Sequence, residues 1–404
     1  MLAFPNLRFP GFIGDWKVKR LEAVAIKIGD GLHGTPSYTD DSEYYFINGN
    51  NLVNGQIEIY GNTKAVTSEI YLKNNKNLNK NTLLISINGT IGNIAKYENQ
   101  KVMLGKSICY LNFNHNSDFI FFLLNTKSVQ DYFISELTGS TIKNLSLKTI
   151  RQTLLPFPSL PEQEKIAYFL SLIENRILTQ KKIIEDLTVL KNIIVKKLFE
   201  NQIKFTNRDE AFPNWEKKRL SEISKEHLNK NPDNLYSEVF SVSKHKGVIN
   251  QIEHLGRSFS AKDIKHYKLV YPGDLVYTKS PTSEFPFGII KQNRTGRIGV
   301  VSPLYCVFTP QTFELGYLLH EYFDSSVNTY NYLSPLVQKG AKNTMNINNE
   351  TFLHGAKLLL PIDKMEQTYI YTALSLLANK IDVEEKILIK YENQKKFLLA
   401  NLLI

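Results

Sequence analysis

Two stretches of the chain carry the same periodic pattern of apolar positions. In the first, Ile166, Leu170, Ile173, Ile177, Gln180, Ile184, Leu187, Lys191, Ile194 and Leu198 follow one another in alternating steps of four and three. In the second, Ile370, Leu374, Leu377, Ile381, Glu384, Leu388, Tyr391, Lys395, Leu398 and Leu402 do the same, each 204 residues further on. Eight of ten positions are apolar in each copy, and both copies break at the same two places. Such a spacing is the repeat of a coiled-coil seam. An amphipathic helix packed on its own domain accounts well for one such stripe and poorly for two matched ones. Each predicts a helix of about 60 Å, which needs an equally long apolar partner, and the other copy is the obvious one. Pro161 suits a first helical turn, where its missing N–H costs nothing, and Glu162 and Glu164 complement the positive helix end.

The duplication extends beyond the helices. Trp16-Lys17-Val18-Lys19-Arg20-Leu21 returns as Trp215-Glu216-Lys217-Lys218-Arg219-Leu220, after Phe9-Pro10 and Phe212-Pro213 respectively. Pro161-Glu162-Gln163-Glu164-Lys165-Ile166 returns as Met365-Glu366-Gln367-Thr368-Tyr369-Ile370. A period near 200 residues is too long for a solenoid and marks a duplicated domain. The boundaries follow: a globular body over residues 1–160, a long helix over 161–204, a second body over 205–360 and a second long helix over 361–404. Within the bodies, β-like runs occur at 82–87, 108–111, 274–277 and 298–301, separated by Gly, Asn and Pro turns, and amphipathic helices are expected at 117–135 and 313–332. The fold class is α+β (mixed α/β), with a strand order that the pattern leaves open.

Composition narrows the class only a little. With 42% hydrophobic and 22% charged residues the chain reads as globular throughout. Two cysteines make no disulfide framework and point to a reducing, cytoplasmic setting. Residues 1–15 hold Pro5 and Pro10 and lack a continuous apolar run, so no secretory signal is expected; Phe119 to Leu124, the most apolar short run, is far too short to span a bilayer. The net charge of +10 permits a polyanionic partner without establishing one. The densest basic patch, Arg257 to Arg297, holds eight Lys/Arg against three acids.

Catalytic motifs are missing. Asn231-Pro232-Asp233-Asn234 lacks the second proline and the aromatic of an amino-methyltransferase motif. Gly105-Lys106-Ser107 invites a P-loop reading, but Gln100 stands where the leading glycine belongs. Pro232-Asp233 with Asp263-Ile264-Lys265 is too fragmentary for a nuclease centre. The eight histidines show no i, i+4 pair and do not cluster with Cys109 or Cys306, which read as core residues.

Several strings then occur in a telling order. The chain opens with Asn6-Leu7-Arg8-Phe9-Pro10-Gly11-Phe12 and Trp16, followed by Gly29-Asp30-Gly31-Leu32-His33-Gly34-Thr35-Pro36, Phe46-Ile47-Asn48-Gly49-Asn50-Asn51-Leu52 and Gly55-Gln56-Ile57. The second body has Val239-Phe240-Ser241-Val242-Ser243, Tyr267-Lys268-Leu269-Val270, Pro272-Gly273-Asp274-Leu275-Val276-Tyr277 and Val301-Ser302-Pro303-Leu304-Tyr305. Gly139-Ser140-Thr141-Ile142-Lys143-Asn144-Leu145 and Leu155-Pro156 close the first body, Gly340-Ala341-Lys342-Asn343 and Leu360-Pro361 the second, and each helix starts through Glu-Gln. Across nearly the whole chain this set resembles the specificity subunits of type I restriction-modification systems. One departure is Met365 where the first copy has Pro161.

The resemblance implies two target recognition domains joined by two long antiparallel coiled-coil helices in a pseudo-two-fold repeat. It implies a non-catalytic reader of an asymmetric, two-part site in double-stranded DNA, with the helix pair as a ruler. It also implies partners: two modification (methyltransferase) subunits and restriction (translocase/nuclease) subunits. S-adenosylmethionine, ATP and Mg would belong to those partners and no cofactor to this chain. Loop residues with cationic, amide or hydroxyl donors are the candidate DNA contacts. They are His33, Thr35, Ser140, Thr141 and Lys143 in the first body and Lys279, Arg294, Arg297, Lys339, Lys342 and Asn343 in the second. Each of them serves equally well as a solvated surface group, and His33 as a turn cap. The competing reading is a coiled-coil scaffold or adaptor that binds only protein, its basic charge incidental.

Overall fold

The computed structural model describes residues 5–139, 143–207, 210–258, 260, 263–339 and 345–403, the side chains at 338, 339, 345 and 346 excepted. The chain divides into two units: Met1–Lys182 with Glu385–Ile404, and Ile183–Glu384. The main elements of the first unit are β1 (Lys17–Arg20), β2 (Lys27–Asp30), β3 (Tyr44–Ile47), β4 (Ala65–Val66), β5 (Thr82–Ser86), β6 (Ile94–Lys96), β7 (Val102–Leu104) and β8 (Ile108–Asn112). Helices α1 (Ser117–Leu124), α2 (Lys127–Ser135) and α3 (Leu147–Gln152), strand β9 (Leu154–Phe157) and the long α4 (Leu160–Phe199) follow. A four-stranded antiparallel sheet of order β2-β8-β5-β6 forms the centre, with β3 between β4 and β7 beside it and β1 paired to β9.

The second unit repeats this plan. It holds β10 (Glu216–Lys218), β11 (Ser224–Glu226), β12 (Phe240–Ser243), β13 (Gly247–Asn250), β14 (Lys268–Val270), β15 (Leu275–Tyr277), β16 (Ile290–Gln292), β17 (Gly299–Val301) and β18 (Cys306–Pro310). After them come α5 (Phe313–Asp324), α6 (Ser326–Leu333), α7 (Asn349–Leu353), β19 (Leu358–Leu360) and the long α8 (Lys364–Leu402). Its central sheet has the order β11-β18-β15-β16, strand for strand that of the first unit, and β10 pairs with β19 as β1 pairs with β9. The middle strands β5, β8 and β15 are wholly buried and mostly apolar on both faces, as a sheet covered on both sides requires, and β18 is buried except at Thr309. Cys109 lies opposite Ile85 and Cys306 opposite Tyr277 in those strands. Both thiols are free and buried, and burial pushes Cys306 up to about 12, so neither is a reactive thiolate.

The runs expected as single helices, 117–135 and 313–332, are each two helices. A hydroxyl makes each break. Thr126 Oγ1 donates to the Leu123 carbonyl at 2.7 Å and closes α1, while Ser325 Oγ accepts from the Asn328 N–H and opens α6. Helix α1 is also not amphipathic, since seven of its eight residues are buried.

In each unit the long helices turn their seam inward, and among the described residues no helix is long and apolar enough to cross a membrane. In the first unit Ile166, Leu170, Ile173 and Ile177 of α4 share a core with Leu398 and Leu402 of α8, and Leu388 and Tyr391 pack against it. The two segments run in opposite directions, as Glu174 meeting Lys395 and Lys181 meeting Glu392 show. In the second unit Leu198 joins Ile370 and Leu374 around Tyr317 and Leu318 of α5. Ile184, Leu187, Leu377 and Ile381 are half-buried. The polar interruptions are buried or half-buried too. Lys191 reaches the buried Glu321 at 2.6 Å, and Lys395 pairs with Glu174.

The Glu-Gln string fixes each helix start. Gln163 Nε2 donates to the Pro158 carbonyl at 2.9 Å while its Oε1 accepts from Asn116, the residue capping α1. Gln367 Nε2 donates to the Pro361 carbonyl at 3.0 Å while its Oε1 accepts from Thr312, which caps α5. The neighbouring glutamates differ: Glu162 takes a two-pronged ion pair from Arg8, Glu366 a single N–H from Trp215 at 2.9 Å. With only that donor, burial holds the Glu366 carboxyl above the ordinary carboxylate range. The folded state then binds the proton more tightly than the unfolded one, so stability falls as pH rises through that window. Glu366→Gln keeps the acceptor for Trp215 and is expected to be more stable than the parent near neutral pH and equal to it in acid. Urea unfolding across pH measures this; a variant less stable than the parent at pH 7 would contradict it.

Candidate nucleic-acid interface

The antiparallel sheet sends particular loops to particular ends. In the first unit the carboxyl ends of β2 and β5 lie beside the amino ends of β8 and β6, because Asp30 faces Cys109, Ser86 faces Ile108 and Ile85 faces Ile94. Four loops therefore collect at this end. The loop after β2 returns through Gly31 N–H to the Ile108 carbonyl and Leu32 N–H to that of Leu104. Ile87 N–H reaches Ser107, Leu145 N–H reaches Ile87, and Asn88 bridges to Asn144. His33, Thr35 and Lys143 thus share one end of the sheet, all three exposed. His33 Nε2 lies 2.6 Å from Asp30 Oδ2, which orients its ring. Ser140 and Thr141 lie outside the described residues. Lys106 and Thr90 are exposed at the same end and were not among the sequence candidates. Their signal was available in Asn88-Gly89 and Gly105-Lys106-Ser107, turn residues between strand-like runs.

In the second unit the candidates separate. Lys279 lies just past β15, at the end where β11 finishes and β18 begins. It is half-buried, and burial pulls its ammonium below the usual value, with Lys268 adding to the effect against Cys306 and Glu226. Lys268 Nζ donates to the Tyr305 carbonyl at 2.7 Å, and Asn349 Nδ2 donates to Glu226 Oε1 at 2.5 Å. Lys339 belongs to a short strand, Gln338–Lys339, paired with Met345–Asn346 four residues before Asn349 begins α7; Lys342 and Asn343 lie outside the described residues. Arg294 and Arg297 stand in the turn after β16, where Gln292 faces Leu275, and so lie at the opposite end of the sheet. Arg297 is held by Glu238 and Glu253, each at 3.2 Å.

The strings that carry the resemblance are mostly structural. A Cβ on Gly31 would sit 2.3 Å from the Leu104 carbonyl oxygen, so only glycine lets the β2 loop lie against β7. Asn51 is buried, accepting from the Asn48 N–H at 2.9 Å and donating to the Glu58 carbonyl at 2.8 Å, which locks the turn after β3. Asp274, 1% exposed, collects His227 Nε2 at 2.8 Å, the Tyr271 N–H at 2.8 Å and the Thr309 hydroxyl at 2.6 Å. Among the described residues no group of three His, Cys, Asp or Glu is placed to hold a metal ion.

Comparison with known proteins joins these features. The family model described as the type I restriction modification DNA specificity domain matches residues 13–189, the first body and most of α4. Residues 13–189 thus resemble a type I restriction-modification DNA specificity domain. A curated specificity subunit, that of the type I restriction enzyme MjaIX of Methanocaldococcus jannaschii, is 28% identical over 299 residues, 67% of either chain. The crystal structure of the type I restriction-modification S subunit from M. genitalium matches with a TM-score of 0.59 at 16% identity, covering 100% of this chain and 99% of that one. At that identity the match speaks for the fold: a specificity-subunit architecture of mixed helices and strands with two long helices, extending through the second body that the family model leaves unmatched.

If the Gly31 position is scaffold, replacing it must cost stability whatever DNA is present. Gly31→Ala is expected to lower the unfolding free energy by about 3 kcal/mol, against a change within about 0.5 kcal/mol for the exposed Thr35→Ala. Urea unfolding decides, and equal stabilities would contradict the steric account.

Proposed function

We propose that this chain is the non-catalytic DNA reader of a type I restriction-modification complex. In this reading each sheet end presents one set of reading loops, to one half of an asymmetric two-part site. The observation that carries it is the repetition: one strand order occurs in both units, with different residues in the corresponding loops. His33, Thr35, Lys106 and Lys143 face one half-site and Lys279 with the paired strands Gln338–Lys339 and Met345–Asn346 the other, donors to base edges among them. Helices of 40 and 39 residues, about 60 Å each, act as the ruler that fixes an unread gap.

Modification subunits, two by the symmetry of the repeat, dock on the outward faces of the long helices. Tyr168 and Leu172 on α4 and Leu376 and Phe397 on α8 are exposed there, more apolar surface than a solvated helix needs. These partners supply S-adenosylmethionine and adenine methylation, and restriction subunits supply ATP- and Mg-dependent translocation and cleavage. The same exposed faces also suit a scaffold that binds protein alone, and the two readings part on DNA.

Adenine-methylation mapping of cellular DNA, with the gene intact and deleted in the presence of its partner subunits, is the test. Loss of one asymmetric two-part motif with a fixed gap on deletion is the expected outcome. Sequence-independent binding by the reconstituted complex, with no motif lost, would establish the scaffold instead.

A further inference from the structure

The second unit holds a basic cleft at the sheet end opposite Lys279. Its volume is about 600 Å³, and its walls are the tip of the β12–β13 hairpin, the turn after β16, one face of α5 and Lys191 of α4. Six cations line it, and four are engaged. Lys191 is paired with Glu321, Lys291 with Asp324, Lys244 with Glu284, and Arg297 with Glu238 and Glu253. Lys246, at the hairpin tip, and Arg294 are exposed, and among the described residues no carboxylate pairs with either. The Arg294 guanidinium lies 5.0 Å from the Tyr317 ring centroid, a contact that orients it without neutralising it. Lys246 and Arg294 therefore leave positive charge in the cleft that no carboxylate among the described residues offsets. His320, buried at its floor, is held well below its usual value by burial and then by Lys291, Arg294 and Lys191, so its ring is neutral.

The cleft's amide and hydroxyl donors are already used. Gln292 Nε2 donates to the Gly273 and Phe313 carbonyls, Thr295 Oγ1 donates to Asn293 Oδ1 at 2.7 Å, and His320 Nδ1 accepts from the Gln292 N–H. What remains are Lys246, the exposed His245 beside it and Arg294, and two exposed cations free of carboxylates suit an anion whose identity does not vary along a duplex. We propose that this cleft grips the phosphate backbone of DNA, with Lys246 and Arg294 making two contacts that position the second body and read nothing. The inference rests on the DNA-reading role above and divides that body into a base-reading end and a backbone-holding end. A three-residue strand separates the ends by about 10 Å, a span close to the ~12 Å width of the major groove.

Fluorescence anisotropy of the full chain reconstituted with its modification subunits tests it, with labelled duplexes carrying the mapped target or unrelated sequence, over a range of salt. Each phosphate contact adds about 0.9 to the slope of log affinity against log salt. Lys246→Gln and Arg294→Gln are each expected to lower that slope by about one. Affinity should fall by the same factor on both duplexes, with the preference between them unchanged. If Arg294→Gln loosens the Tyr317 contact and melts early, Lys246→Gln at the exposed hairpin tip carries the test alone. An unchanged slope overturns the proposal, and so does a loss confined to the target duplex, which would make these residues base readers. Displacement of DNA by millimolar inorganic phosphate at constant ionic strength overturns it in favour of a free-anion site. A parent chain that prefers its target while both variants match it removes the cleft and leaves the functional reading standing. A parent that binds neither duplex removes both.

Discussion

A helix of 40 residues with an apolar seam along its length is not stable in water by itself, and that constraint organises this chain. Most helical stability in proteins comes from burying such a face rather than from intrinsic propensity. Here the face is buried by a second helix that the duplication supplies with the same spacing, as Ile173 and Ile177 beside Leu398 and Leu402 show in one unit and Leu198 beside Ile370 and Leu374 in the other. Each unit is thereby built from distant stretches of sequence. The first needs the last twenty residues of the chain, Glu385–Ile404, to complete its core. The lysines that interrupt the seam do not weaken this arrangement, because each finds a glutamate of its own unit, Lys191 with Glu321 and Lys395 with Glu174. A buried charge without its partner is strongly destabilising, so a slipped alignment of the helices would strand these ions. Polar groups at seam positions are known to set register in this way.

What was legible in the sequence is what periodicity and repetition express. The seam, the duplication, the Glu-Gln helix starts and the strand runs at 82–87, 108–111, 274–277 and 298–301 all depend on local spacing, and the structure has helices and strands there. The break after α1 and after α5 was not legible. It depends on Thr126 bonding to Leu123 and Ser325 to Asn328, choices that the same hydroxyls decline in other helices. Strand order was not legible either, since β2 and β8 are joined through some eighty residues of intervening chain, and no local pattern states that Asp30 faces Cys109.

The candidate contacts of the second body separate for a related reason. Lys279, Arg294 and Arg297 lie within nineteen residues of one another and look like one basic patch along the chain. Because β15 and β16 are antiparallel neighbours, the loop that joins them and the turn that follows them emerge at opposite ends. Residues close together in sequence are thus placed at two ends of the sheet. Charge along the chain does not show the pairing either: Arg297 is held by Glu238 and Glu253, while Lys246, outside the candidate set, has no ion pair among the described residues.

The strings that reveal the family are the ones least able to reveal its target. Gly31, Asn51 and Asp274 sit where a backbone must pass closely or a turn must be tied, and any chain with this fold meets the same demand. The loops proposed to read DNA face the opposite demand. A loop at a sheet end needs only to leave and return at fixed strand positions, and the side chains between are free to differ, as they do between the two bodies. Recognition in such a chain is a matter of loop content set on an invariant frame. Hence one sequence yields the frame twice over and leaves the bases unspoken: the frame is dictated by steric and hydrogen-bonding rules that residue types carry, whereas a base contact exists only once the DNA is present to complete it.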